Sequence, residues 1–172
     1  MPVTKTEIKS PKVKSENKAK PAGGLFAPYL TGVFSVRKIS VVGSHINEKL
    51  YRQKGEVVRV NYNQLLTYSP LGLIDFTLGV SYLYEDKPNE ILFATEVQTV
   101  FEIPNIKEYI NAQTNALTIP TDLLVMIVSI SVSHTRALLA RQCAGTIYND
   151  ILLPIVNPLE MAQAFFPERF KG

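Results

Sequence analysis

Residues 74–84 read IDFTLGVSYLY and residues 91–103 read ILFATEVQTVFEI. In the first, Ile74, Phe76, Leu78, Val80, Tyr82 and Tyr84 alternate with Asp75, Thr77, Gly79, Ser81 and Leu83. In the second, Ile91, Phe93, Thr95, Val97, Thr99, Phe101 and Ile103 alternate with Leu92, Ala94, Glu96, Gln98, Val100 and Glu102. A two-residue period places one set on a buried sheet face and the other on a more polar face. Between the runs lies EDKPNE (85–90), whose Pro88 and Asn89 are breakers. The two runs are therefore read as an antiparallel hairpin with one apolar face.

Upstream, 33–46 is β-rich and 56–62 (EVVRVNY) reads as a second, shorter strand. Residues 64–72 place Leu65, Leu66, Tyr68 and Leu71 among polar, Pro and Gly positions and read as an apolar crossing loop. Downstream of Pro104, Ile106, Tyr109 and Ile110 have helical spacing, so a short helix is expected over 105–113. A long helix follows over 121–144. Pro120 suits its entry, Thr121 or Asp122 its cap, and Gly145 its end. At ~1.5 Å per residue this helix is about 36 Å long. A short helix is expected at 159–165. Strands followed by helices predict an α+β domain: a four-stranded antiparallel sheet with a short helix and one long C-terminal helix packed on one face.

The long helix is apolar nearly all round in its N-terminal half. Leu123, Ile127 and Ile130 make one face, and Leu124, Val128 and Val132 extend around another. A further stripe carries small residues. One sheet covers one side of such a helix, so the other side is expected to meet a second subunit through Met126, Ile130, Ser133, Ala137 and Ala140. The longest mainly apolar run, 123–132, is about half of the ~20 residues that span a bilayer, so a soluble protein is expected.

The net charge of +3 is unevenly spread. Residues 1–24 hold six lysines against Glu7 and Glu16, so the rest of the chain is close to neutral. That segment has no aromatic residue and reads as a disordered basic tail preceding a domain over 25–172. The lysines fit either a solvated tail or an arm touching nucleic acid or an acidic partner. A nucleic-acid footprint over the whole surface is not supported. With Cys143 as the one cysteine, an intrachain disulfide and a Cys-rich zinc site are excluded. His45 and His134 lack metal-ligand spacing, and no nucleophile elbow, P-loop or dinucleotide fingerprint is present. His134 reads as a partly buried, hydrogen-bonded core histidine. No catalytic residue, metal or cofactor is expected. Apolar residues flanking the sheet are more informative: Tyr62, Leu65, Leu66 and Tyr68 before the hairpin, Phe101 in it, and Tyr109, Ile110, Leu117 and Ile119 after it. They read either as a long apolar groove for extended peptide or as closure of the core edges.

FATEVQ (93–98) with Phe101 and Ile103, and a long helix ending in Gly145-Thr146 before LLPIVNP (152–158), resemble the SecB export chaperones. The order of elements agrees over roughly 33–166. The resemblance implies a cytoplasmic, ATP-independent holdase whose subunits form a homotetramer as a dimer of dimers. It further implies that unfolded polypeptide is held in long apolar grooves and, in export members, delivered to the SecA motor. By position, Glu96, with Gln98 beside it, matches the outer sheet face that contacts the motor. The family's acidic outer-face positions correspond here to Lys38 and Val42, and the chain ends PERFKG with no acidic, glycine-rich tail. Client holding therefore carries over better than motor delivery. Some SecB-like proteins are dedicated chaperones of one client, such as an antitoxin.

Overall fold

The computed structural model describes residues 34–52, 58–69 and 71–171. The basic segment 1–24 lies outside the described residues, as does the start of the 56–62 run. Four twelve-residue strands, β1 (Ser35–Ile46), β2 (Val58–Ser69), β3 (Leu73–Tyr84) and β4 (Ile91–Glu102), form one antiparallel sheet in the order β1-β4-β3-β2. The α+β architecture is the expected one. The helices are α1 (Thr121–Cys143) and α2 (Pro158–Phe165), with a 3-10 turn at Ile106–Tyr109.

Along β3 the hairpin reading holds for the apolar set, while Leu83, read on the more polar face, is buried as well, at 2% exposure. Ile74, Phe76, Leu78, Val80, Tyr82 and Tyr84 are each at most 3% exposed. Along β4 the alternation fails at the start: Ile91 is exposed and Leu92 is buried. A bulge explains this, because Tyr82 pairs with Phe93 and Leu83 with Ile91, leaving Leu92 as the extra residue.

Two expectations are corrected. Residues 64–69 are no crossing loop but the second half of β2, paired residue for residue with β3 through Gln64–Leu78, Leu66–Phe76 and Tyr68–Ile74. Ladder pairing and the apolar inner face of β3 override the weak strand signal of Asn61, Asn63 and Gln64. The crossing belongs instead to the link after Ile46, since β1 and β2 lie at opposite edges. The described part of that link is tied down where the Arg52 N–H donates to Tyr84 Oη at 2.8 Å and Tyr148 Oη donates to the Asn47 carbonyl at 2.6 Å.

The helix expected over 105–113 shrinks to one 3-10 turn. Asn111 Oδ1 accepts from the amides of Gln113 and Thr114, a local alternative to helical hydrogen bonding. The chain then folds back as a short hairpin, with Ile110 bridged to Leu117 and the Thr118 amide donating to Tyr109. At its tip, Asn115 takes the left-handed conformation (φ 52°) that asparagine tolerates.

α1 begins after Pro120, but no side chain caps it. It ends as expected, with Gly145 at φ 79° directly after Ala144. The helix lies over β4 and β3. Leu123, Leu124, Ile127, Val128, Ser131, Val132, Thr135, Leu139 and Cys143 face inwards and are buried. By length and composition alone α1 is long and apolar enough to cross a membrane, as core helices of soluble proteins also can be. In this fold Leu123, Leu124, Ile127, Val128, Val132, Leu139 and Cys143 belong to the core, and the rest of the apolar stretch is half-buried or exposed.

The helix–sheet contact contains a polar seam. Thr95, Thr99, Ser131 and Thr135 are completely buried. His134 Nδ1 lies 3.3 Å from Thr99 Oγ1, which makes His134 the half-buried, hydrogen-bonded histidine expected. Burial holds its imidazole below the ordinary value of 6.5.

Ile127→Ala opens a cavity under the middle of α1 and is expected to cost ~2–5 kcal/mol in denaturant unfolding. Ile155→Ala, at a position 91% exposed, is expected to stay within about 0.5 kcal/mol of the parent. His134 sets a pH dependence. Well above its ordinary value of 6.5 both folded and unfolded imidazoles are neutral. Below it the unfolded chain takes up the proton first, so stability falls as pH drops and levels off once the folded imidazole also protonates. His134→Gln is expected to shrink the loss of Tm between about pH 7.5 and about pH 5.5.

Candidate functional site

The inner face of the sheet extends beyond α1 on both sides. On the β2 side, the even-numbered positions Val58, Val60, Tyr62, Leu66 and Tyr68 continue the apolar rows of β3 and are half-buried. Over their far end sits the 109–118 hairpin, fastened where Tyr68 Oη donates to the Asn115 carbonyl. Leu66, Leu117, Ile119, Leu124, Phe166 and Arg169 line a small cleft of about 50 Å³ there. Small-molecule sites commonly measure roughly 300–1,000 Å³, so this cleft is well below that size.

Seven of the nine expected groove residues are thus brought to one side of the molecule. Tyr62, Leu66 and Tyr68 come from β2, and Tyr109, Ile110, Leu117 and Ile119 from the hairpin and its link to α1, although Leu117 and Ile119 are buried in the core and offer little open surface. Two are not. Leu65 has the opposite parity and points out of the other sheet face, 60% exposed. Reading 64–72 as a loop hid this, because a loop has no alternation. Phe101 is 0% exposed: it packs within the core and edge-to-face on Phe34, offering no open surface.

The C-terminal segment also belongs to this side, and only part of it was anticipated. Phe166 packs against Phe76, and Arg169 donates to the Leu117 carbonyl. Arg136 on α1 donates from Nε to the Leu153 carbonyl (3.3 Å) and from a terminal nitrogen to the Pro154 carbonyl (2.8 Å). From sequence it marks only the polar end of the helix. The available signal was the 151–157 stretch, which has no regular partner for its backbone and therefore needs side-chain donors. Burial raises the Tyr62 hydroxyl above its usual value, and the nearby Arg136 charge partly opposes this. Tyr82 is raised well above the usual tyrosine value, mainly by burial.

On the β1 side nothing among the described residues covers the sheet. Val36, Ile39, Val41 and Ile46 pair with inward-facing residues of β4 yet are 37–43% exposed. The stripe expected to join subunits runs along the uncovered side of α1, with Met126 and Ile130 half-buried and Ser133, Ala137 and Ala140 exposed. Glu96 lies on the outer sheet face between Gly43 and Gly79, with Gln98 two residues on. Lys38 lies on that face also, and Arg37 pairs with Glu102. Among the described residues no three His, Cys, Asp or Glu side chains cluster as metal ligands.

No family model and no curated protein matches the sequence. Among solved structures, the fold matches that of the Mycobacterium tuberculosis Rv1957 SecB-like chaperone, solved in complex with a ChAD peptide from the Rv1956 HigA1 antitoxin. The TM-score is 0.50 at 10% sequence identity, covering 76% of this chain and 94% of that one. The chain has a SecB-like fold.

Proposed function

We propose that the chain is a non-enzymatic, ATP-independent holdase that binds unfolded or non-native polypeptide. The observation that carries this is the half-buried lane of Tyr62, Leu66, Tyr68, Tyr109 and Ile110 on a SecB-like fold. Aromatic and aliphatic surface at a sheet margin gains free energy from burying almost any apolar side chain. The cleft within it is too small for a cofactor and has few polar groups to impose a sequence. The working form is a cytoplasmic homotetramer, a dimer of dimers joined through the uncovered stripe of α1 and the bare inner face of β1. Both surfaces leave apolar area in water in the single chain.

Service to one dedicated client is the second reading. The SecB-like structural neighbour was solved with an antitoxin peptide. Here Lys38 and the exposed Val42 stand on β1 where export members present acidic residues, which disfavours delivery to SecA. A pulldown separates the two: one dominant partner supports the dedicated role, many precursors together with the motor the export role. A third possibility is a scaffold or nucleic-acid module that uses the lysines of 1–24. Salt-sensitive partner binding that disappears on deletion of that segment is its test.

The purified protein is expected to suppress aggregation of a chemically unfolded client without nucleotide. Tyr62→Asp and Ile110→Asp, which set a charge in the lane, are expected to weaken client binding about tenfold each. Full client aggregation in the presence of wild-type protein rules the holdase out. Light scattering is expected to give the mass of four 19.2 kDa chains, and Ala137→Glu to reduce it. A monomeric wild type removes the assembly.

A further inference from the structure

We infer that Arg136 is a receptor for backbone carbonyls within the client-binding side, filled here by the chain's own segment 152–156. An extended apolar client takes the same two hydrogen bonds when that segment lifts away. This rests on the holdase reading and assigns a site within it.

After α1 the chain is anchored at Tyr148, which is 1% exposed and hydrogen-bonded to Asn47. It is anchored again at α2, where Met161 and Ala162 are buried. Between these points Leu152-Leu153-Pro154-Ile155-Val156 runs without regular secondary structure. Arg136 holds this strap by two carbonyl oxygens. Every residue has a carbonyl, so the grip does not depend on side-chain identity. The guanidinium is planar, and its N–H groups point in fixed directions that match two successive acceptors.

The strap itself is lightly held. Leu153 is 3% exposed and Val156 packs half-buried against the core, but Leu152 is 68% and Ile155 91% exposed. Free energy from apolar burial scales with the area removed from water, and two of the segment's large aliphatic side chains remove little. Since the anchors lie outside 152–156, the strap can lift without releasing Tyr148 or unwinding α2. Tyr82 Oη, on the inner face of β3, is buried and has no hydrogen-bond partner among the described residues. Burial raises this hydroxyl and that of Tyr62, and the Arg136 charge opposes the rise at both.

The occupant is thus an extended, mainly aliphatic polypeptide segment. The probe is a dye-labelled synthetic peptide copying residues 150–158. Leu153→Ala removes the strap's one fully buried contact and is expected to raise affinity for this peptide about tenfold. Adding Arg136→Gln is expected to erase that gain. Equal binding by Leu153→Ala and wild type overturns strap competition, and a gain that survives Arg136→Gln overturns the carbonyl site.

A second measurement keeps Arg136 and Leu153 intact. A fluorophore is attached at Ile155→Cys, with Cys143 fully buried. Its anisotropy is expected to fall as unfolded client saturates the protein. Unchanged anisotropy while wild-type protein still suppresses aggregation overturns this inference and leaves the holdase reading standing. Failure to suppress aggregation removes both.

Discussion

A helix of 23 residues that is apolar over most of its circumference rests on two strands of a four-stranded sheet. Two strands are about as wide as one helix, since neighbouring strands lie roughly 4.8 Å apart and a helix with side chains is about 10 Å across. α1 therefore seals β3 and β4 and leaves the inner faces of β1 and β2 to be covered by something else. The bare β1 face, the covered β2 face and the uncovered stripe of α1 all follow from that mismatch in width.

The two margins are treated differently. Over β2 the chain supplies its own cover, the 109–118 hairpin and the residues from Leu153 to Phe170. Much of this cover is fastened by side-chain hydrogen bonds to backbone carbonyls: Tyr68 to Asn115, Arg169 to Leu117, Arg136 to Leu153 and Pro154. Such contacts are individually modest, about 0.5–1.5 kcal/mol net and roughly twice that when charged. Over β1 none of the described residues provides a cover, and the exposed valines and isoleucines lie on the same inner face as α1. The self-covered margin and the exposed margin thus fall on opposite sides of one helix.

The seam under α1 bears on the same point. Ser131, Thr135 and Thr95 bring buried hydroxyls with no partner among the described residues into the middle of the helix–sheet contact. Unpaired buried hydroxyls oppose burial. The contact is therefore less tightly favoured than its apolar flanks at Leu123–Val128 and Leu139–Cys143 would make it.

Much of this was legible from local pattern. The alternation in 74–84 and 91–103 defines a hairpin because a strand turns successive side chains to opposite faces. Gly145 ends α1 because only a residue tolerant of positive φ continues the chain there. The apolar girth of α1, read along the sequence, is enough to require cover beyond one sheet. What local pattern did not contain was every feature that depends on pairing at a distance. Gln64, Leu66 and Tyr68 are strand because β3 offers a ladder, and the same ladder turns Leu65 to the opposite face. Phe101 left the groove because the neighbouring strands and Phe34 enclose it. Arg136, read as a polar helix end, meets the Leu153 and Pro154 carbonyls because the chain folds back along α1. Side-chain periodicity reports a residue's own backbone, whereas burial and hydrogen-bond partners are decided by whichever distant segment arrives beside it.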